Sequence, residues 1–171
     1  MTTLEVWSDE IIDAALDIDV QWIERPRRAV VGNPNADWSS CCDGLLAVEL
    51  SEFYYSGDQW PYQGTARPGV LGPMDSDVWT ANWAVSIVRC LPSVDEDGRA
   101  PTPEQLRLSA HNLMADTRTV FNAISCARSR WFDTIGAAFL PGPWRPLNRE
   151  GGCGGFQFNV YTKLCGLQEC G

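Results

Sequence analysis

The chain has 171 residues, of which 44% are hydrophobic and 20% charged, so its length suits a single globular domain and its composition argues against wholesale disorder. Thirteen basic residues stand against twenty-two acidic ones, which gives a formal charge of −9. Because such a chain repels polyanions, we do not expect a dedicated nucleic-acid binder. No apolar run approaches the roughly eighteen residues that a membrane-spanning helix needs, so no membrane segment is predicted.

A helix is predicted near the N-terminus, ending between Leu16 and Val20. Apolar residues recur there at steps of three and four and so share one helix face: Leu4, Trp7, Ile11, Ala15 and Ile18. The start of the chain is acidic where a secretory signal would be basic, so we expect synthesis in the cytosol. The residues that follow mix Pro, Gly, Asn and Ser and predict a short extended piece and then a loop.

Alternating apolar residues predict two strands, at residues 45–55 and 79–90. In the first strand, one face consists of Leu46, Val48 and Leu50 and is predicted to be buried. The other face consists of Ala47, Glu49, Ser51 and Phe53. In the second, one side consists of Trp79, Ala81, Trp83, Val85 and Ile87. Residues 57–78, between the strands, contain too many Pro and Gly for a regular element and predict a long projecting loop.

The segment Thr102-Pro103-Glu104-Gln105 has the pattern of a capping box and predicts a helix that runs to about Arg128. Its predicted apolar stripe is Leu106, Ala110, Leu113, Met114, Val120, Phe121 and Ile124. Residues 131–155 are predicted to turn through Pro and Gly, with the glycines of 151–155 forming a flexible or tight entry to a last strand at 156–164.

These elements predict an α+β fold: a small mixed or antiparallel β-sheet with an N-terminal helix and a long central helix packed on one face. We expect one domain over residues 1–171, with residues 166–171 as a tail.

The sequence offers little that resembles a catalytic centre. His111 is the single histidine and falls inside the central helix, so we expect it on the helix surface or at the edge of the core and not as a general base. Asp95-Glu96-Asp97 precedes Gly98 and is typical of a solvated turn. Asp75-Ser76-Asp77 begins like a calcium loop but lacks its Gly and terminal Glu. We expect no enzyme, cofactor or metal; a small hydrolase with acidic catalytic residues is the alternative from another class.

Seven cysteines are present, and an odd number cannot all pair within one chain. Their spacing does not match that of zinc ligands. Cytosolic synthesis favours buried free thiols, while a disulfide formed later stays open.

Several residues are candidates for a protein interface. Three arginines lie within four residues at Arg25, Arg27 and Arg28, either as a solvated loop or as a contact to an acidic partner surface. Trp38, Trp60, Tyr62 and Trp144 occur among Pro and Gly in predicted loops, where large aromatic residues commonly anchor partners. A carbohydrate-binding module is the rival class, although such modules are usually all-β.

A series of segments resembles the tail terminator proteins of long-tailed phages of actinobacterial hosts. The series is CDGLLAVELSEFYYS, WAVSIVRC, DGRAPTPEQL, LMADTRTV leading to Cys126, and GGCGGFQFNVYTKL, in this order over roughly residues 41–165. The chain departs from the family in its aromatic loop at 57–78 and its ending CGLQECG.

The resemblance implies a virion structural protein that assembles in the host cytoplasm. It would form a homo-hexameric ring on the tail tube protein, stop tube growth, and present a docking face to the head-to-tail connector or stopper protein, while genomic DNA passes through the lumen without specific binding. We expect the long loop and the arginines at 25–28 to make contacts between rings. The runner-up is another neck ring, the head-to-tail stopper or connector itself.

Overall fold

A computed structural model describes residues 3–17, 22, 26, 28–32, 44–64, 78–135, 138–150 and 152–165. Over these residues the helices and strands are α1 (Thr3–Leu16), β1 (Arg28–Val31), β2 (Leu45–Tyr55), β3 (Val78–Cys90), α2 (Pro103–Ile135), β4 (Phe139–Glu150) and β5 (Cys153–Cys165). A short 3-10 turn, Gly57–Gln59, follows β2. The predicted tail at 166–171 lies outside the described residues.

The five strands form one mixed sheet in the order β1-β2-β3-β5-β4. β1 is parallel to β2, and the other neighbours are antiparallel. Both helices pack on one face of this sheet, where Trp7 and Ile11 of α1 meet Ile124 of α2 and Trp83 and Val85 of β3 in the main core. The predicted α+β class, with two helices on one face, is confirmed.

The central strand β3 is buried on both faces, since every side chain from Thr80 to Arg89 is nearly inaccessible to solvent. Its predicted apolar side faces the helices, as expected. Its other side is also buried but is largely polar, with Thr80, Asn82 and Ser86 almost inaccessible to solvent. A buried polar side chain needs a hydrogen-bond partner, so this second face requires its own network.

Strand β2 matches its predicted bounds but not its predicted pattern of faces. Leu45 and Ala47 are buried along with Leu46 and Val48, so the first half of the strand is covered on both sides. An irregularity between Leu50 and Glu52 then shifts the register against β3. As a result Phe53 pairs with Ala81 and stacks on Trp79 at 5.2 Å, on the face that the alternation had assigned to Leu46.

The capping box of α2 is confirmed. The amide of Gln105 donates to the Thr102 hydroxyl at 3.2 Å, and the Gln105 side chain accepts from the Thr102 amide at 2.8 Å. The helix continues to Ile135, past the predicted end near Arg128. Neither of the helices in the described part of the chain is long and apolar enough to cross a membrane.

The predicted apolar stripe of α2 is only partly correct. Among residues 103–127 of the helix, the buried side chains are Leu113, Asp116, Thr117, Val120, Ile124 and Ala127, whereas Leu106, Ala110 and Met114 are exposed. No side chain between residues 103 and 112 is buried, so the first third of the helix extends past the core.

Strand β4 corrects the prediction of turns in this region. Its sequence contains Pro141, Pro143 and Pro146, which remove backbone donors and normally exclude a strand. β4 tolerates them because it is an edge strand with a single partner, and its ladder with β5 is interrupted twice.

The predicted entry to the last strand is shorter than expected, because β5 already begins at Cys153 and includes Gly154 and Gly155. β4 and β5 are joined through Gly152, whose φ is +79°, a conformation that favours glycine. Two positions into β5, Gly155 faces the backbone of β3 so closely that a Cβ there would collide with the carbonyl oxygen of Ile87.

We therefore expect Gly155→Ala to lower the free energy of unfolding by about 3 kcal/mol, because the two central strands must separate to admit a methyl group. The matched control is Gly98→Ala, where φ is +78° but no atom lies within 4 Å of the added Cβ. It should cost only about 1 kcal/mol. Urea unfolding measures both, and equal losses would show that the close approach of the strands is unimportant.

Candidate interaction surfaces

The candidate interface residues lie at several separate places. Arg28 opens β1, one edge of the sheet, and Trp144 lies in β4, the opposite edge. Trp144 was expected in a loop, so this placement is a correction; it follows from the tolerance of an edge strand for proline. Arg25, Arg27 and Trp38 lie outside the described residues.

Trp144 has one anchored and one open side. Its ring meets Phe121 of α2 edge to face at 5.4 Å, and Phe121 in turn contacts Phe158 in the same manner at 5.5 Å. These contacts fix the indole against the helix layer. Trp144 still leaves 37% of its surface exposed. A rigid, partly exposed indole at a sheet edge is the kind of side chain that anchors protein interfaces.

Residues 57–64 fold back onto the end of β2. The amide of Ser56 donates to Val78 O at 3.0 Å, the amide of Gly64 to Tyr55 O at 2.9 Å, and the Tyr54 hydroxyl to Pro61 O at 2.7 Å. Within this segment Trp60 is half-buried, whereas Tyr62 is 75% exposed. Tyr62 is therefore better placed than Trp60 to meet a partner. The remainder of the predicted projecting loop lies outside the described residues.

A row of polar side chains crosses the sheet face opposite the helices. Asn82 donates to Glu52 Oε2 at 3.2 Å, Asn159 donates to Asn82 Oδ1 at 2.8 Å, and Arg145 donates to Asn159 Oδ1 at 3.0 Å. This polar row joins β2, β3, β5 and β4 in that order. Sequence reasoning missed it, although one signal was available: Asn82 and Asn159 occupy the alternate positions of strands whose other positions are apolar.

The polar row ends beside a pocket of about 400 Å³. We call it the tyrosine pocket; it is lined by Glu52, Tyr54, Pro61, Tyr62, Gln63, Leu140, Pro141, Gly142, Pro143 and Tyr161. Burial, with smaller contributions from Tyr161 and Glu52, raises the pKa of Tyr54, so its hydroxyl stays protonated and keeps donating to Pro61 O.

A second cleft, of about 460 Å³, lies between the end of β3 and the first half of α2. At its floor Arg89 Nη2 and Asp116 Oδ2 form an ion pair at 3.1 Å, with 9% and 1% of the two side chains exposed. The Arg89 guanidinium also lies 5.8 Å from the centre of the Trp22 ring. A Cβ at Gly44 would collide with the guanidinium, so Arg89 packs directly on the start of β2. This arginine connects helix, sheet and the segment before β1.

The other residues considered for chemistry lie at separate places on the surface or outside the described part of the chain. His111 lies exposed on the surface of α2, as expected. Asp95 Oδ1 accepts from the amides of Asp97 and Arg99, at 3.0 and 2.8 Å, in an exposed turn. Among the residues that the structure describes, no three His, Cys, Asp or Glu side chains gather as metal ligands would. Asp75-Ser76-Asp77 lies outside those residues.

The expectation of buried free thiols is wrong for the cysteines whose state is described. Cys126 is free but exposed. Cys90 and Cys153, which face each other in the β3–β5 register, are both disulfide-bonded.

No protein-family model matches the sequence, and no curated protein matches it either. A function for the chain therefore rests on its residues and their geometry.

Breaking the buried ion pair should be costly. We expect Asp116→Ala to lower the free energy of unfolding by about 3–5 kcal/mol, because it removes the carboxylate that lies 3.1 Å from a buried guanidinium. Arg107→Ala removes the exposed pair with Glu104, 2.6 Å in length, and should cost less than about 1 kcal/mol. The double variant Arg89→Met/Asp116→Leu should recover much of the loss. Urea unfolding measures the free energies of all three variants. Equal losses for D116A and R107A would contradict a structural role for the Arg89–Asp116 pair.

The thiols can be tested by alkylation of the folded protein. Without reductant, iodoacetamide should label Cys126 and leave Cys90 and Cys153 unlabelled, because a disulfide has no nucleophilic thiolate. Reduction in denaturant should expose all three to the reagent. Peptide mass mapping reads the sites, with Cys126→Ser as the control; labelling of Cys153 before reduction would contradict its bonded state.

Proposed function

We propose that the chain is a virion structural subunit of a phage neck, a tail terminator that forms a ring, caps the tail tube and joins it to the head-side connector. The proposal begins from the series of segments that resembles this family. It draws support from the geometry of the sheet edges, which suits association of identical copies.

The observation that carries the proposal is the pair of dissimilar edges on opposite sides of the subunit. Val31, at the end of β1, is 56% exposed at one edge, and Trp144 is partly exposed at the other. A closed ring of identical copies needs a head-to-tail contact, in which one surface meets a different surface of the next copy. Two apolar anchors on opposite edges provide such a pair of surfaces.

Contacts between side chains suit this association of copies better than a β-sheet that continues from one copy into the next. β1 has only four residues, and β4 lacks three backbone donors at Pro141, Pro143 and Pro146. A neighbour's strand could form only a short and interrupted ladder with either edge. We therefore place the contact between copies at the exposed side chains of the two edges.

The overall charge of −9 also suits a subunit that surrounds a DNA channel. An acidic lumen repels phosphate groups, so a genome can slide past without being held. This separates the proposed role from that of a DNA-binding protein, whose affinity depends on basic contacts to phosphate.

The ring can be tested by size-exclusion chromatography with light scattering, on the purified protein with and without tail tube protein. We expect a species of ring mass when tube protein is present, and we expect Val31→Glu to reduce it strongly by placing a charge in the apolar contact. The matched control is Val94→Glu, which alters a side chain of similar exposure, 60%, away from both edges.

Absence of any ring species with tube protein, or equal assembly of V31E and wild type, would overturn the proposed contact. Electron microscopy of intact particles distinguishes a terminator, seated directly on the tube, from a stopper located on the head side of it.

A further inference from the structure

The tyrosine pocket combines aromatic rings with a single charge. Three rings line it from separate elements: Tyr54 from β2, Tyr62 from the segment after the 3-10 turn, and Tyr161 from β5. Among the described residues that line it, Glu52 has the one charged side chain. A carboxylate beside several aromatic rings is a combination that can recognise organic cations, since the carboxylate and the ring faces both attract positive charge.

The carboxylate is held in place by the polar row. Asn82 binds Glu52 Oε2, and Asn82 is itself fixed by the Asn159 amide at 2.8 Å, deep in the sheet where both asparagines are buried. Holding Glu52 in this manner reduces the rotamer entropy that it would lose on binding a cation. The contact with Asn82 uses one carboxylate oxygen, so Oε1 can accept from a ligand.

The walls of the pocket are rigid as well. Tyr54 donates to Pro61 O, which ties the segment after the 3-10 turn to β2. On the opposite wall, a Cβ at Gly142 would crowd both Tyr161 and Asn159, so β4 approaches β5 closely there. The prolines at 61, 141 and 143 add apolar surface with little conformational freedom to lose. The site is thus largely formed before any ligand arrives.

The position of the pocket indicates where a cation comes from. One wall belongs to β4, an edge of the sheet, and the opposite edge is β1, which starts at Arg28 of the arginine stretch at 25–28. Two described residues near these arginines are held against the fold, because the Trp22 indole donates to Ala15 O at 3.2 Å and Pro26 lies against Gly44. In a head-to-tail ring the β1 edge of one copy faces the β4 edge of the next.

We propose that the tyrosine pocket binds an arginine side chain from residues 25–28 of a neighbouring copy. The inference rests on the proposed ring and deepens it, since it assigns the arginines at 25–28 to a contact between copies within one ring, in place of the contacts between rings that the sequence suggested. A guanidinium suits the site because its flat face stacks on tyrosine while its edge donates to the Glu52 carboxylate. An anionic ligand would be repelled by the Glu52 carboxylate.

The site can be tested on the isolated full-length protein, without ring assembly. The probe is a fluorescein-labelled peptide of residues 24–29, ERPRRA, and the matched peptide is EQPQQA. Fluorescence anisotropy at low salt should show binding of the arginine peptide and at least tenfold weaker binding of the glutamine peptide, which corresponds to about 1.4 kcal/mol or more.

Substitutions in the pocket should lower its affinity for the arginine peptide, and the loss should depend on the role of the residue that is changed. Glu52→Gln should reduce its affinity about tenfold by removing the charge, and Tyr62→Ala about threefold by removing an exposed ring. Glu49→Gln is the matched control: it removes a carboxylate from the same strand that does not line the pocket, and should leave binding unchanged. Circular dichroism confirms that each variant is folded.

Equal binding of the two peptides, or no loss in E52Q, would overturn the inference. So would displacement of the peptide by a neutral oligosaccharide, which would show that the tyrosines stack on sugar. A ring that forms with tube protein although the peptide does not bind would leave the neck function standing and refute the pocket. Peptide binding without a ring would support the pocket and count against the neck function.

Discussion

The fold depends on one arginine at the end of its central strand. Arg89 leaves β3 on the helix face and pairs with Asp116 of α2 where neither side chain has appreciable access to water. Such a pair is costly to bury, so it stabilises the fold only when its geometry is held by further contacts. Trp22 and the glycine backbone at Gly44 provide them. The docking of α2, the start of β2 and the approach to β1 are therefore coupled through one guanidinium.

The elements that were predicted correctly are those whose signal is local. The periodicity of α1, the capping box of α2 and the alternation of β3 and β5 each depend on residues close in sequence. The errors concern tertiary context. Proline excludes a strand only where its missing backbone N–H would be needed for a hydrogen bond. β4 was not predicted because the sequence does not show that this segment lies at an edge of the sheet. The exposure of Leu106 likewise follows from the first third of α2 extending past the core, whereas Met114 lies on another face of the helix from its buried neighbour Leu113.

The candidate sites were harder to predict than the fold because they are assembled across strands. The sequence placed Asn82 and Asn159 on the second faces of their strands, but their contact needs the β3–β5 register, in which Asn82 faces Tyr161 and Ala84 faces Asn159. Glu52 joins them only because the irregularity in β2 moves it to that face. The residues that line the tyrosine pocket come from β2, β4, β5 and the segment after β2, so they form no continuous motif in the sequence. Tyr62 and Trp144, in contrast, could be named in advance as exposed aromatic residues.

The edges of the sheet determine how copies of such a subunit can associate. A long regular edge would let copies add strands without limit, which leads to filaments or aggregates. Here one edge is short and the other is interrupted by proline, so backbone pairing between copies is weak and cannot set their arrangement. In the proposed ring, side chains would set the arrangement, and side chains such as Trp144 and the lining of the tyrosine pocket would fit a partner in only a few orientations. An association governed by side-chain fit can impose the fixed rotation that closes a ring, because each copy meets the next at the same angle.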